Sequence, residues 1–125
     1  MVAVTDVVEG EYPPESVLTQ LFDLTDLDRR VYLELVGRSS PADIDAIADA
    51  VDRERTTVYR SVERLRGQGV VTRRSESIPH GGARYLFSAR DPDEVGRELL
   101  CRLNELYATL MPLTREFERR YGDGT

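Results

Sequence analysis

A change of apolar period near residue 68 constrains the fold of this 125-residue chain more than any other feature of its sequence. Before that point apolar residues recur at steps of three and four, which is typical of amphipathic helices. After it come two runs rich in β-branched and aromatic residues, separated by a loop that contains proline and glycine. The sequence therefore predicts a fold that is mainly α with one small β-hairpin, of the α+β class.

Four helical patterns precede the change of period, and residues common at helix starts and ends bound them. They cover about residues 14–23, Thr25 to Gly37, 41–51 and 54–67. Thr25 and Asp28 have the spacing of a capping box, and Pro41 suits the first position of the third helix. Glu54 is a poor N-cap, so either Asp52 caps the fourth helix or the start of that helix is irregular.

A hairpin and a long helix complete the predicted fold. The hairpin spans residues 70–88, with strands at 70–75 and 84–88. The long helix begins after Asp91, and its apolar residues recur close to a heptad period. This seam consists of Val95, Leu99, Leu103, Leu106, Leu110, Leu113, Phe117 and Tyr121. Because Pro112 cannot donate a backbone hydrogen bond, we expect a kink near residues 109–112.

The order of helices, glycine stop and hairpin resembles that of winged helix-turn-helix transcriptional regulators of the TrmB, MarR and PadR type. The resemblance is carried by residues 47–51, 56–65 and 69–71. It implies that residues 13–90 form a DNA-binding domain, with helix 54–67 in the major groove and wing 70–88 on the flanking backbone or in the minor groove. It also implies that residues 91–125 form a C-terminal dimerisation helix. Residues 1–12 are polar and acidic, and we expect a flexible arm there.

The helix at 54–67 offers side chains suited to DNA on the face opposite its apolar stripe of Val58, Val62 and Leu65. The predicted DNA contacts are Arg55, Thr56, Thr57, Tyr59, Arg60 and Arg64 on the helix, and Arg73, Arg74, His80 and Arg84 on the wing. Arginine can bind guanine through two hydrogen bonds, while threonine and tyrosine suit phosphate and sugar. The alternative is a solvated helix face on which the arginines pair with Glu63.

Charge along the chain favours the DNA-binding interpretation, although the net charge is −6. Residues 1–52 hold 3 arginines and 12 acids, residues 53–90 hold 9 and 3, and residues 91–125 hold 5 and 8. A block of net charge +6 therefore lies between two acidic flanks, as expected of a polyanion-binding surface. The competing hypothesis is a winged-helix module of the transcription machinery that binds protein without reading DNA. Such a module does not require a basic block.

The apolar seam of the last helix has two interpretations. It is either a strip of the intrachain core or a homodimer interface, and we favour a homodimer that binds a pseudo-palindromic operator. The predicted interface residues are Leu99, Leu103, Leu106, Leu110, Leu113 and Phe117. Cys101 falls on the opposite side of this helix. It is either a packed small side chain or an exposed thiol that senses redox stress.

Several functions are excluded by residue counts and spacing. One cysteine and one histidine, about twenty residues apart, provide neither a Cys-rich metal site nor a catalytic dyad. We therefore expect no enzyme activity, no cofactor and no metal. No apolar stretch approaches the roughly 20 residues of a membrane helix, and no leader opens the sequence. We expect a cytoplasmic protein that does not bind membranes.

All 17 basic residues are arginine. An acidic composition without lysine resembles that of proteins from extremely halophilic archaea, and a GC-rich genome is the alternative explanation. In molar salt the Debye length is about 3 Å or less, so long-range attraction to DNA is nearly lost. We therefore expect recognition to depend on close contacts, DNA shape, and inorganic cations or anions bound from the salt.

Overall fold

The computed structural model describes residue 10 and residues 13–123, and within them five α-helices and a two-stranded hairpin follow one another. A 3₁₀ turn at Pro14–Ser16 leads into the first helix. The elements are α1 (Val17–Leu21), α2 (Asp26–Val36), α3 (Ile44–Val51), α4 (Arg55–Gly67), β1 (Val71–Ser77), β2 (Ala83–Ala89) and α5 (Pro92–Tyr121). This order confirms the predicted α+β class. The predicted arm at 1–12 lies outside the described residues, apart from residue 10.

The predicted capping box at the start of α2 is confirmed. The backbone N–H of Asp28 donates to Thr25 Oγ1 at 3.1 Å, and the backbone N–H of Thr25 donates to Asp28 Oδ2 at 3.0 Å. Two N–H groups that a helix start would otherwise leave without partners are thereby satisfied. The helix ends at the predicted position, because Gly37 is its C-cap.

The predicted start of the third helix at Pro41 is wrong, because α3 begins at Ile44. Asp43 is its N-cap, and its carboxylate accepts a hydrogen bond from the backbone N–H of Ala46 at 2.9 Å. The preceding Ala42 instead forms an antiparallel bridge to Phe87 of β2, through backbone bonds of 2.9 and 2.8 Å. The segment before α3 therefore extends the wing sheet.

The turn between α3 and α4 resolves the two alternatives for the start of the fourth helix. Asp52 adopts the left-handed conformation (φ 54°) and ends α3, so it does not cap α4. Glu54 occupies the N-cap position, and in the described part of the chain its side chain makes no capping hydrogen bond. The first turn of α4 thus begins without a side-chain cap.

The core lies where α1 to α4, the base of the hairpin and the first turn of α5 meet. Its large side chains with less than 2% exposure are Phe22, Val31, Ile47, Val58, Val62, Leu65, Val70 and Phe87. Burying each of them contributes about 1.5–3 kcal/mol to folding. The predicted inward face of the fourth helix is confirmed by these positions.

The strands of the hairpin are longer than the sequence predicted, at seven residues each. Its strands pair antiparallel from Val71 opposite Ala89 to Ser77 opposite Ala83. Gly81 and Gly82 close the loop in conformations with φ of 95° and 85°, which side chains other than glycine adopt only with strain. The predicted hairpin with its tip at residues 78–82 is confirmed.

Helix α5 is attached to the rest of the fold by its first third. Val95 is buried, Leu99 packs partly buried against the core, and Arg102 contacts α1. From residue 103 to Tyr121 the side chains are exposed, except for the half-buried Glu116. The helix is continuous through Pro112, and the kink expected near residues 109–112 stays a prediction. Among the described residues, no helix has the length and apolar character needed to cross a bilayer.

Candidate nucleic-acid interface

Helix α4 presents four exposed polar or aromatic side chains on the face opposite its buried stripe. These are Arg55, Thr56, Tyr59 and Arg60, while Thr57 is half-buried. The side chain of Arg55 is 66% exposed and lies 3.2 Å from Asp45 Oδ1 of α3. Glu63 pairs with Arg66 on the same helix, at 2.9 Å. Glu63 therefore pairs with Arg66 rather than with Arg55 or Arg60, and the DNA contacts of this face stay a prediction.

Arg64 has a different position from the other predicted contacts of α4. Its guanidinium donates to both carboxylate oxygens of Asp28, with Nη2 to Oδ1 at 2.8 Å and Nε to Oδ2 at 2.9 Å. Ser61 Oγ donates to the same carboxylate at 2.5 Å. Because its Nε and Nη2 both bond to a buried acid, Arg64 fixes α4 onto α2, and we leave it out of the proposed DNA contacts.

The pKa of Asp28 lies below its ordinary value of 3.8. Burial alone would raise it, but hydrogen bonds from Arg64, Ser61 and the backbone of Thr25 favour the charged form and lower it by more. Sequence reasoning identified Asp28 only as a cap. The signal for its second role was its spacing, because it precedes Val31 and Leu35 by three and seven residues on the apolar face of α2.

The wing arginines do not share one face of the hairpin. Arg73 is opposite Phe87, whereas Arg74 is opposite Leu86, and neighbouring side chains of a strand point to opposite faces. The guanidinium of Arg73 lies 4.2 Å from the ring centre of Tyr85, a cation–π contact that holds both side chains at the surface. Arg84 is on the face of Arg74.

A shallow cleft of about 330 Å³ separates α4 from the wing. It is lined by Asp43, Ile44, Asp45, Arg55, Tyr59, Ala83, Arg84, Tyr85 and Phe87. Two arginines of the predicted interface pair with carboxylates here: Arg55 with Asp45 at 3.2 Å, and Arg84 with Asp43 at 3.5 Å. Sequence reasoning missed the two acids because Asp43 caps α3 and Asp45 lies in its first turn, whereas the arginines that they contact belong to other elements.

The remaining candidate residues lie outside this cleft. His80 is exposed at the tip of the hairpin. Cys101 is exposed on α5, in a shallow groove lined also by Arg90, Glu94, Arg97 and Glu98, so it is not a packed core side chain. Its redox role stays a prediction. Within the described residues, no group of three or more His, Cys, Asp or Glu side chains is placed to hold a metal ion.

The apolar seam of α5 divides into two parts. Val95 and Leu99 face the chain's own core, so Leu99 does not belong to the exposed part of the interface that the sequence predicted. The other predicted interface residues are at least 45% exposed, and they are Leu103, Leu106, Leu110, Leu113 and Phe117. Tyr121 extends this stripe, with its ring 5.3 Å from that of Phe117. Five large apolar side chains in a row on a helix are costly to leave in water.

Comparison of the sequence with known proteins identifies relatives among archaea. The uncharacterized protein MJ1503 of Methanocaldococcus jannaschii is 27% identical over 104 residues, which cover 83% of this chain and 78% of that protein. A second uncharacterized protein of the same organism, MJ1082, is 31% identical over 83 residues, covering 65% of this chain and 66% of that protein.

Solved structures share the fold at low sequence identity. A possible transcriptional regulator from Methanosarcina mazei has a TM-score of 0.77 at 20% identity, covering 86% of this chain and 90% of that one. The ST1889 protein of Sulfolobus tokodaii has a TM-score of 0.63 at 21% identity, with 83% and 97% covered. Staphylococcus aureus MepR, in its complex with DNA, has a TM-score of 0.54 at 15% identity, with 93% and 97% covered. These likenesses establish the winged-helix fold.

A family model described as "Sugar-specific transcriptional regulator TrmB" matches residues 18–93, which contain α1 to α4 and the hairpin. The match covers more than half of the chain and agrees with the fold. Proteins of this family are transcriptional regulators and not enzymes. This chain therefore belongs to the TrmB family of winged helix-turn-helix transcriptional regulators.

Proposed function

We propose that this regulator acts as a homodimer that reads a pseudo-palindromic DNA site. Helix α4 enters the major groove, the wing contacts the flanking backbone or the minor groove, and α5 pairs the two subunits. The observation that carries the proposal is the grouping of exposed Arg55 and Tyr59 of α4 with Arg84 and Tyr85 of the wing around one cleft. Arg60 is exposed on the same helix, one residue after Tyr59.

The roles of the α4 side chains follow from their chemistry. Arg60 is exposed in the second turn, where a side chain can reach base edges, and its fork can bind guanine O6 and N7. Tyr59 is 49% exposed and suits packing on sugar with its hydroxyl on phosphate. The side chains of Thr56 and Thr57 can donate to phosphate. Glu54 does not cap the first turn with its side chain, so the backbone N–H groups of that turn could also donate hydrogen bonds to a phosphate.

The wing contributes contacts of another kind. Arg74 and Arg84 share one face of the hairpin, and Arg73 lies on the other face beside Tyr85. Side chains on both faces of a narrow hairpin suit insertion along the minor groove, where arginine is favoured. His80 is exposed at the tip of the hairpin, and we assign it a contact with the DNA backbone.

The dimer is supported by the free seam of α5, defined as Leu103, Leu106, Leu110, Leu113 and Phe117. Their near-heptad spacing suits pairing with a second copy of the same helix. A two-fold dimer presents two copies of α4 to successive major grooves, about one helical turn of DNA apart.

The test of DNA reading is the substitution Arg60→Ala. The wild-type chain is first used to enrich duplexes from a random library. The affinity of the wild type and of Arg60→Ala for these duplexes is then measured by fluorescence anisotropy at one salt concentration. We expect affinity to fall about 10- to 100-fold, with loss of preference at one base position in each half-site.

Arg115→Ala is the matched control, because Arg115 is an exposed arginine on α5 and its removal changes the net charge equally. We expect this variant to bind within about twofold of wild type, as is usual for exposed sites away from an interface. Equal affinity of wild type and Arg60→Ala, or no enriched duplex at all, would instead support the module that binds protein.

A further inference from the structure

Arg102 of α5 connects three elements that meet behind the recognition helix. Its guanidinium carbon lies 4.2 Å from the ring centre of the fully buried Phe22. Its Nη1 donates to the backbone oxygen of Leu21 at 3.2 Å, and its Nη2 donates to Gln68 Oε1 at 3.2 Å. Glu98, one turn earlier on α5, lies 3.6 Å from its Nε.

Gln68 lies at the junction between α4 and the wing, because it is the C-cap of α4. Its backbone N–H still bonds to Arg64 of α4 at 3.1 Å, while the next residue, Gly69, begins the turn into β1. A second arginine, Arg90, lies between β2 and α5 and contacts the same junction, since its Nη1 donates to the Gly69 oxygen at 3.3 Å. Two arginines, one on each side of the attached part of α5, therefore donate hydrogen bonds to the junction between α4 and the wing.

We propose that Arg102 is a positioning residue, which fixes the angle between the dimerisation helix and the recognition helix. The inference depends on the proposed function, because it concerns how two recognition helices are held for simultaneous contact with DNA. Arg102 lies one residue before the free seam. A change in the angle of α5 at this point would therefore shift the two subunits of the dimer relative to each other. The C-cap of α4 is the point at which that displacement would reach the DNA-binding face.

The residue type supports a positioning role. Only a planar guanidinium stacks on an aromatic ring and donates in its plane to two acceptors at once. The Arg102 side chain is 33% exposed, and its Nε is buried without a hydrogen-bond partner among the described residues. Glu98 Oε1 lies 3.6 Å from this Nε, so the carboxylate offsets part of the cost of burying the charged group. The stacking on Phe22 and the two donated hydrogen bonds hold the guanidinium in one orientation.

The test separates binding to one half-site from binding to two. Duplexes that the wild-type chain enriches from a random library are compared with the same duplexes carrying one scrambled half-site, and with duplexes whose half-sites are moved apart by one base pair. For Arg102→Ala we expect about a tenfold loss on the intact duplex, which is typical of coupling between sites. On one half-site we expect less than about a twofold change, and the preference for half-site spacing should broaden.

Gln68→Met provides a second variant, because it removes the acceptor while leaving α5 and the stacking on Phe22 intact. It should show the same split between one and two half-sites, whereas Gln68→Glu keeps an acceptor and should bind as wild type does. Arg115→Ala is the charge-matched control. Sedimentation must show each variant to be as dimeric as the wild type.

The outcomes distinguish this inference from the function on which it depends. Equal losses on one and two half-sites, or unchanged spacing preference in both Arg102→Ala and Gln68→Met, would overturn the positioning role while leaving DNA reading intact. If the wild-type chain enriches no duplex, or only duplexes with one half-site, then the proposed function itself fails and the positioning role fails with it.

Discussion

The guanidinium of Arg64 forms two parallel hydrogen bonds with the carboxylate of Asp28, at 2.8 and 2.9 Å, although Asp28 itself has no exposed surface. The same carboxylate accepts from Ser61 of α4 and caps α2 through Thr25. One acid therefore caps the start of α2 and also holds α4 against α2. The DNA-facing side of α4 is defined by this inner contact as much as by its buried apolar stripe.

Replacing Asp28 by asparagine should destabilise the fold by about 2 kcal/mol. The change leaves Arg64 without its charged partner and gives Ser61 a weaker acceptor, and breaking such a pair from one side is costly. Chemical denaturation at a fixed protein concentration measures the free energy of unfolding. Asp26→Asn is the control, because Asp26 is in the same turn but its side chain is 85% exposed, and it should change stability by about 0.5 kcal/mol or less. Equal effects of the two changes would contradict the structural role.

Acid should remove the contribution of Asp28. Its pKa is lowered in the folded state, so the stabilisation is complete above the ordinary value of 3.8 and is lost as the pH falls through the lower folded value. The stability difference between wild type and Asp28→Asn should therefore be constant near neutral pH and shrink below about pH 4. Unfolding curves of both proteins across this range provide the measurement. A difference that grows on acidification would show that the pKa of Asp28 is raised.

Leu110→Asp should convert a dimer into a monomer. Leu110 lies in the middle of the free seam and is 47% exposed in the single chain, so a charge there costs little in the monomer and much in a paired interface. Sedimentation equilibrium at micromolar concentration reports the mass. Asn104→Asp adds the same charge on the opposite side of α5 and should remain dimeric. A wild-type chain that sediments as a monomer would rule out the seam as a dimer interface.

Arg74→Ala should weaken DNA binding without changing which sequences are preferred. A wing side chain that contacts the sugar–phosphate backbone contributes equally to every duplex, so we expect a similar loss of about three- to tenfold on all enriched sequences. Competition binding against a panel of single-base variants measures both affinity and preference. A change in preferred base caused by Arg74→Ala would assign direct base reading to the wing.

Salt should weaken DNA binding less than is usual. Arg55 and Arg84 already pair with Asp45 and Asp43, so added salt weakens these internal pairs as well as the contacts with phosphate. We expect the slope of log affinity against log KCl to be smaller in magnitude than about 2, whereas six phosphate contacts ordinarily give about 5. Titrations between low and molar KCl measure it. A slope near the ordinary value would contradict recognition adapted to high salt.

The order of elements and the buried face of α4 could be predicted from sequence, because local signals agree there. The Thr25–Asp28 spacing, the apolar steps of three and four, and the glycines near residue 68 each require only neighbouring residues. The hairpin followed from its β-branched and aromatic residues in the same way.

What could not be predicted depends on contacts between distant residues. Ala42 pairs with Phe87 across 45 positions, so its extended conformation is invisible to a local helix signal. Arg64 was assigned to DNA because its partner, Asp28, lies 36 positions away on another helix. Leu99 was assigned to the dimer because apolar spacing alone does not say which part of a seam faces the chain's own core.

The most direct test of the account is to sequence the DNA that co-precipitates with the chain from cells that produce it, beside cells that produce Arg60→Ala. We expect discrete sites for the wild type, sharing two inverted half-sites about one helical turn of DNA apart, and loss of most of these sites for Arg60→Ala. Uniform recovery of DNA by the wild type, or the same discrete sites with Arg60→Ala, would contradict it.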